Sequence, residues 1–164
     1  MDKQKKLREF LGKYGIYLVL VAMVVAMSFM SPVFLSQDNL LNIIRQVAVI
    51  GLISLGVTLV IISKGIDLSS GSTLALTAVM AASFGQAGDW AAKMYPNIPE
   101  LPVIVPIFVA LAVGTAVGTF NGLLVARTGI PAFIATLGTY VSVRGLALLY
   151  SDGRPISTLT ESSN

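Results

Sequence analysis

The chain has 164 residues, of which 55% are hydrophobic and 12% charged, and its mean hydropathy is +0.83. A soluble domain carries roughly a quarter charged residues, so this composition describes an integral membrane protein. Cysteine and histidine are absent, which excludes disulfides, thiol nucleophiles, imidazole acid–base chemistry and the usual zinc ligand sets, and the net charge of +3 is too scattered for a nucleic-acid face.

In chain order, residues 1–13 carry Lys3, Lys5, Lys6, Arg8 and Lys13 against Asp2 and Glu9. This bias predicts a basic cytoplasmic N-terminus ahead of a transmembrane domain over 14–150. Uncharged runs of 24, 18, 21 and 26 residues then separate Lys13 from Asp38, Arg45 from Lys64, Asp67 from Asp89 and Glu100 from Arg127. Each is long enough to cross a hydrocarbon core of about 30 Å, which takes roughly 20 helical residues. A signal peptide also fits the basic start and the apolar stretch 16–27. The uncharged run extends to Gln37, however, and more spans follow, which favours an uncleaved first helix. A fifth run, 128–143, has 16 residues and is span-length only if Arg144 is tolerated inside it. Counting crossings places Asp38 and Arg45 outside, Lys64 inside, Asp89, Lys93 and Glu100 outside, and Arg127 inside. A polar tail, 151–164, contains nothing apolar enough to span.

The break "SKGIDLSSGS", residues 63–72, reads locally as stop, turn and start. Lys64 suits the negative end of a helix dipole, Gly65 can take the left-handed conformation, and Asp67, Ser69 or Ser70 can cap the next helix. The same segment also offers Asp67, Ser69, Ser70 and Ser72 as polar wall elements of a translocation path, since irregular backbone at membrane depth is tolerated where it lines a cavity. In the fourth span Gly114, Gly118 and Gly122 share a helix face, a small-residue stripe suited to helix packing. Asn121 beside it needs a polar partner, either a helix contact or a path. Pro131 predicts a helix starting near Ile130. With Thr136, Thr139 and Arg144 on it, that helix is expected to line a cavity or pack against other helices rather than face lipid.

"KGIDLSSGSTLAL", "FNGLLVARTGIPAFIATLGTYVSVRGLALLY" and "DGRPIS" resemble the permease subunits of bacterial ribose-type ATP-binding-cassette (ABC) importers of monosaccharides. The resemblance implies an all-α, polytopic transmembrane helix bundle of about five helices, similar to the N-terminal half of a ten-helix permease with a short fifth helix. It implies an inner-membrane homodimer served by an ATP-binding subunit and a periplasmic sugar-binding protein, with lipid around it and no nucleic-acid partner. The family's coupling helix lies in its second half, so the chain is expected to be a truncated product or one completed by another piece. There is no Gly-rich phosphate loop of the Walker kind, so no nucleotide and no cofactor is expected on this chain, and it is not expected to be an enzyme. The alternatives are a secondary transporter or channel for a small polar solute, or a non-transporting assembly subunit.

Overall fold

The computed structural model describes residues 2–159, with backbone alone at residues 2–4, 6 and 7; residues 160–164 of the expected polar tail lie outside it. Five helices follow one another: α1 Asp2–Met30, α2 Gln37–Ile62, α3 Ser70–Phe84, α4 Ile104–Thr128 and α5 Ala132–Tyr150. Two compact units, residues 1–52 and 53–164, meet within α2.

In the first unit α1 ends before Pro32, which lacks an N–H and disfavours helix at the residue before it. The turn at 31–36 leads into α2 through Ser36, whose Oγ accepts from Asn39 N–H at 3.3 Å while its carbonyl accepts from Leu40 N–H at 3.0 Å. The Asn39 amide reaches back to the Phe34 carbonyl at 2.6 Å and closes the turn.

The second unit contains the end of α2 and helices α3, α4 and α5. Its small apolar core is Leu76 of α3 with Val143 and Ala147 of α5, against which Met80, Val113 and Val117 pack. Most large apolar side chains remain exposed, Leu149 of α5 at 80% among them. Such exposure suits helices whose outer surface meets hydrocarbon rather than water.

Among the described residues four helices are long and apolar enough to cross a membrane, α1 from Arg8, α2, α4 and α5. They are not the four expected. The run between Asp67 and Asp89 yields a helix of only 15 residues, about 22 Å long. Its first residues are spent on the α2–α3 turn, and Gly85 closes it at the other end, with its N–H shared between the Ala81 and Ala82 carbonyls. The fifth run, expected to be short, gives a 19-residue helix, about 28 Å, because Arg144 sits on its exposed surface and does not interrupt it.

Helix α2 closes differently from expectation. Lys64, not Gly65, takes the left-handed conformation, at φ 60°. Gly65 N–H then bonds to Val60 O and Lys64 N–H to Ile61 O, both at 2.9 Å, the paired bonds of a Schellman closure. Gly65 serves close approach instead, since a Cβ there would stand 3.1 Å from Val60 Cγ1 and 3.8 Å from the Ala132 Cβ. At the end of α4 a glycine does take that role: Gly129, at φ 71°, closes the helix just before Pro131.

Candidate functional site

The segment after Gly65 is tied to α4 and α5 by a set of short polar bonds. Asp67 Oδ1 accepts from both Ser69 N–H, at 2.8 Å, and Ser69 Oγ–H, at 2.6 Å. Its carboxylate thus folds over the residue two positions on, as Asx turns do. Ser69 occupies the N-cap position with helical backbone angles and makes no side-chain cap bond. The expectation that Asp67, Ser69 or Ser70 caps α3 is therefore corrected: Asp67 lies two residues too early to reach the free N–H groups of the first turn, and it holds Ser69 instead.

Ser69 is buried, and its Oγ accepts from Asn121 Nδ2 of α4 at 2.8 Å. Asn121 Oδ1 accepts in turn from Thr139 Oγ1 of α5 at 2.6 Å. The carboxylate is an acceptor only, so the Ser69 proton must point at Asp67, the Asn121 amide must turn its nitrogen to Ser69, and its oxygen is left for Thr139. Every proton in the relay thus points toward Asp67. One turn away Thr136 Oγ1 accepts from Leu68 N–H at 3.1 Å, with the Ala132 carbonyl at 2.8 Å and that of Ile66 at 3.1 Å within reach of its own proton. Ser72, fully buried, returns its hydroxyl to Ser69 O at 2.8 Å. Among the described residues no buried side-chain polar atom lacks a partner, as low-dielectric surroundings require.

The structure therefore brings together Asp67, Ser69, Ser72, Asn121, Thr136 and Thr139 from three sequence-separated places. Ser70 and Arg144 make no side-chain hydrogen bond or ion pair among the described residues, and Arg144 is exposed on α5. In the glycine stripe, a Cβ on Gly114 would meet Thr77 Cγ2 at 3.6 Å, while Gly118 and Gly122 have open space beside them. The buried stripe of α4 runs one residue over, through Val113, Val117 and Asn121. An apolar groove of about 660 Å³ opens between α4 and α5, with Ala116, Phe120, Ile134, Gly138 and Ser142 in its walls and Thr139 at its side.

At the opposite end of the unit a second polar cluster joins the α3–α4 loop to the end of α5 and the tail. Ser83 Oγ donates to Met80 O, so it accepts from Tyr150 OH at 2.7 Å, and Tyr150 accepts from Tyr95 OH at 2.8 Å. The Tyr95 phenol is pushed up from 10.0 to about 12, first by the bond to Tyr150 and then by burial. Gln86 bonds both Met94 N–H and the Ser157 carbonyl, and Ala87 N–H bonds Thr158 O. None of these residues stood out in the sequence. Tyr95 and Tyr150 are 55 positions apart, and an aromatic at a helix end carries no local mark of its partner.

Apolar helices of crossing length, joined by a saturated polar relay at a broken helix pair, define a polytopic membrane protein. Residues 39–158 match the family described as "Branched-chain amino acid transport system / permease component", and the chain belongs to that family. It is 40% identical over 149 residues to the ribose import permease protein RbsC of Haemophilus influenzae, covering 91% of this chain and 42% of the relative. Against RbsC of Bacillus subtilis it is 43% identical over 147 residues, 90% of this chain and 42% of the relative. Against the galactose/methyl galactoside import permease protein MglC of Escherichia coli it is 39% identical over 149 residues, 91% and 44%. The chain thus spans less than half the length of these relatives. No solved structure matches it.

Proposed function

We propose that this chain forms part of the membrane-spanning permease of an ATP-driven importer for a ribose-type monosaccharide. The observation that carries the reading is the likeness, over nine-tenths of the chain, to permeases named for ribose and galactose import. ATP hydrolysis belongs to an ATP-binding partner subunit, sugar delivery to a periplasmic binding protein, and closure of the path to a second permease copy. The protein resides in the bacterial inner membrane with its N-terminus in the cytoplasm.

The geometry supports this reading at two points. Lys64 and Arg127 end α2 and α4 at the end of the second unit that carries the relay, whereas the loop with Asp89 and Glu100 meets the tail at the other end through Gln86 and Tyr95. That separation accords with a cytoplasmic side rich in cations. On this reading Asp67, Ser69, Ser72, Asn121, Thr136 and Thr139 hold the broken helix pair in register, and Ser70, half-buried beside them, is left to the sugar path.

The test is a graft. The matching stretch of a ribose permease is replaced with this sequence in cells lacking their own copy, and labelled ribose uptake is measured. Uptake that requires an intact ATP-binding subunit and survives collapse of the ion gradient is the expected result. Uptake that follows the ion gradient instead would overturn the reading in favour of a secondary transporter.

A further inference from the structure

Helix α1 is longer than a membrane needs. Its 29 residues extend about 43 Å, against a hydrocarbon core of about 30 Å. The apolar crossing segment begins only at Arg8, and the helix continues without a break back to Asp2. From Lys13 to Asp2 is about 16 Å along the axis. This stretch therefore passes through a headgroup layer roughly 5–8 Å deep and ends about 8–11 Å beyond it, near one screening length of some 8 Å.

Along that extension lie five cations, Lys3, Lys5, Lys6, Arg8 and Lys13, against Asp2 and Glu9. Lys5, Arg8 and Lys13 are exposed, and among the described residues none of the three is ion-paired. Helix energetics do not account for them, since the dipole disfavours cations in the first turns. An aromatic pair on one face of the helix marks the boundary with the apolar part: Phe10 and Tyr14 rings lie 5.1 Å apart, and Lys13 Nζ stands 5.4 Å from the centre of the Tyr14 ring. Tyrosine is enriched at the membrane interface, which accords with cations at headgroup level.

We propose that the basic start of α1 is a binding surface for anionic phospholipid headgroups, which gather around Lys5, Arg8 and Lys13 and fix the depth of the helix. The attraction is electrostatic, so it is shared among several headgroups and weakened by salt. It is independent of what the protein transports.

The chain reconstituted in vesicles of mixed phosphatidylcholine and phosphatidylglycerol, with a trace of either lipid spin-labelled, reports which lipid is held at the protein surface. The expected result is a preference of about twofold or more for phosphatidylglycerol at low salt, fading in 1 M salt where the screening length falls to about 3 Å. Changing Lys3→Gln, Lys5→Gln, Lys6→Gln, Arg8→Gln and Lys13→Gln together should abolish the preference, whereas exchanging lysine and arginine at the same five positions should keep it. Equal association of the two lipids with the unaltered chain would overturn the proposal and leave the basic run to an acidic protein surface. A preference that survives the glutamine changes would also overturn it, by placing the lipid elsewhere.

Discussion

Replacing Asn121 with alanine removes the middle of the relay and tests whether the relay holds the second unit together. Two bonds are broken, from Asn121 Nδ2 to Ser69 Oγ and from Thr139 Oγ1 to Asn121 Oδ1. Their losses are unequal. Thr139 has a second acceptor, the Ala135 carbonyl at 3.1 Å, so its proton is not orphaned, and Ser69 keeps its donation to Asp67. Side-chain bonds between membrane helices average about 0.6 kcal/mol and reach about 1.7. With a small void where the amide stood, Asn121→Ala should therefore cost about 1–3 kcal/mol. Thr139→Val should cost about 1–3 kcal/mol for the opposite reason, leaving a buried amide oxygen without its donor. Because both changes break the same bond, the double variant should fall short of additivity by about 1 kcal/mol. The assay is reversible unfolding in mixed detergent micelles followed by helical content. Additive losses within about 0.5 kcal/mol, or an Asn121→Ala protein as stable as the original, would refute the relay as a source of stability.

Lys64→Gly should stabilise the chain by about 1 kcal/mol in the same assay, since glycine adopts the left-handed closure of α2 without the strain a lysine bears there; a loss would show that the lysine side chain compensates. Gly118→Leu should leave the stability of the chain itself within about 0.5 kcal/mol, because nothing lies within 4 Å of a Cβ there, while lowering recovery of any complex that α4 joins through its glycine face; unchanged recovery would argue against that face as a contact. The raised Tyr95 phenol favours the neutral form in the folded chain, so its contribution is complete below its ordinary value of 10.0 and is lost as pH rises through about 12. A phenolate titration should show one late-ionising tyrosine that disappears in Tyr95→Phe, and a wild-type curve with no late component would contradict the Tyr95–Tyr150 bond. Single cysteines at Gly88 and Arg127, in a chain with none of its own, should label from opposite sides of the membrane, and labelling from one side would remove the proposed topology.

The sequence alone determined the class, because few charges and long apolar runs are properties of composition and spacing that do not depend on how helices meet. It determined the start of α5 beside Pro131 as well, since proline acts through its own backbone geometry. It marked Asn121 as needing a polar partner, Asp67 and Ser69 as caps or path elements, and Thr136 and Thr139 as the polar side of a helix, but not that these residues bond one another. That pairing depends on α3 packing between α4 and α5, which brings positions 69 and 121, 52 residues apart, to 2.8 Å. Tertiary contacts also decided which apolar runs became long helices. Charge spacing treats the stretch from Asp67 to Asp89 as one span, but Leu68 N–H is engaged by Thr136 of α5 ahead of α3, which starts only at Ser70 and closes at Gly85. Arg144, conversely, divided a run on paper and leaves α5 whole, because its side chain lies on the outer surface while Val143 and Ala147 supply the buried one. Gly65 carried the expected residue type for an unexpected reason: Lys64 takes the left-handed turn, and the glycine is small because Val60 and Ala132 crowd it. A sequence states which conformations each residue tolerates, and only the neighbours that packing supplies decide which of them is used.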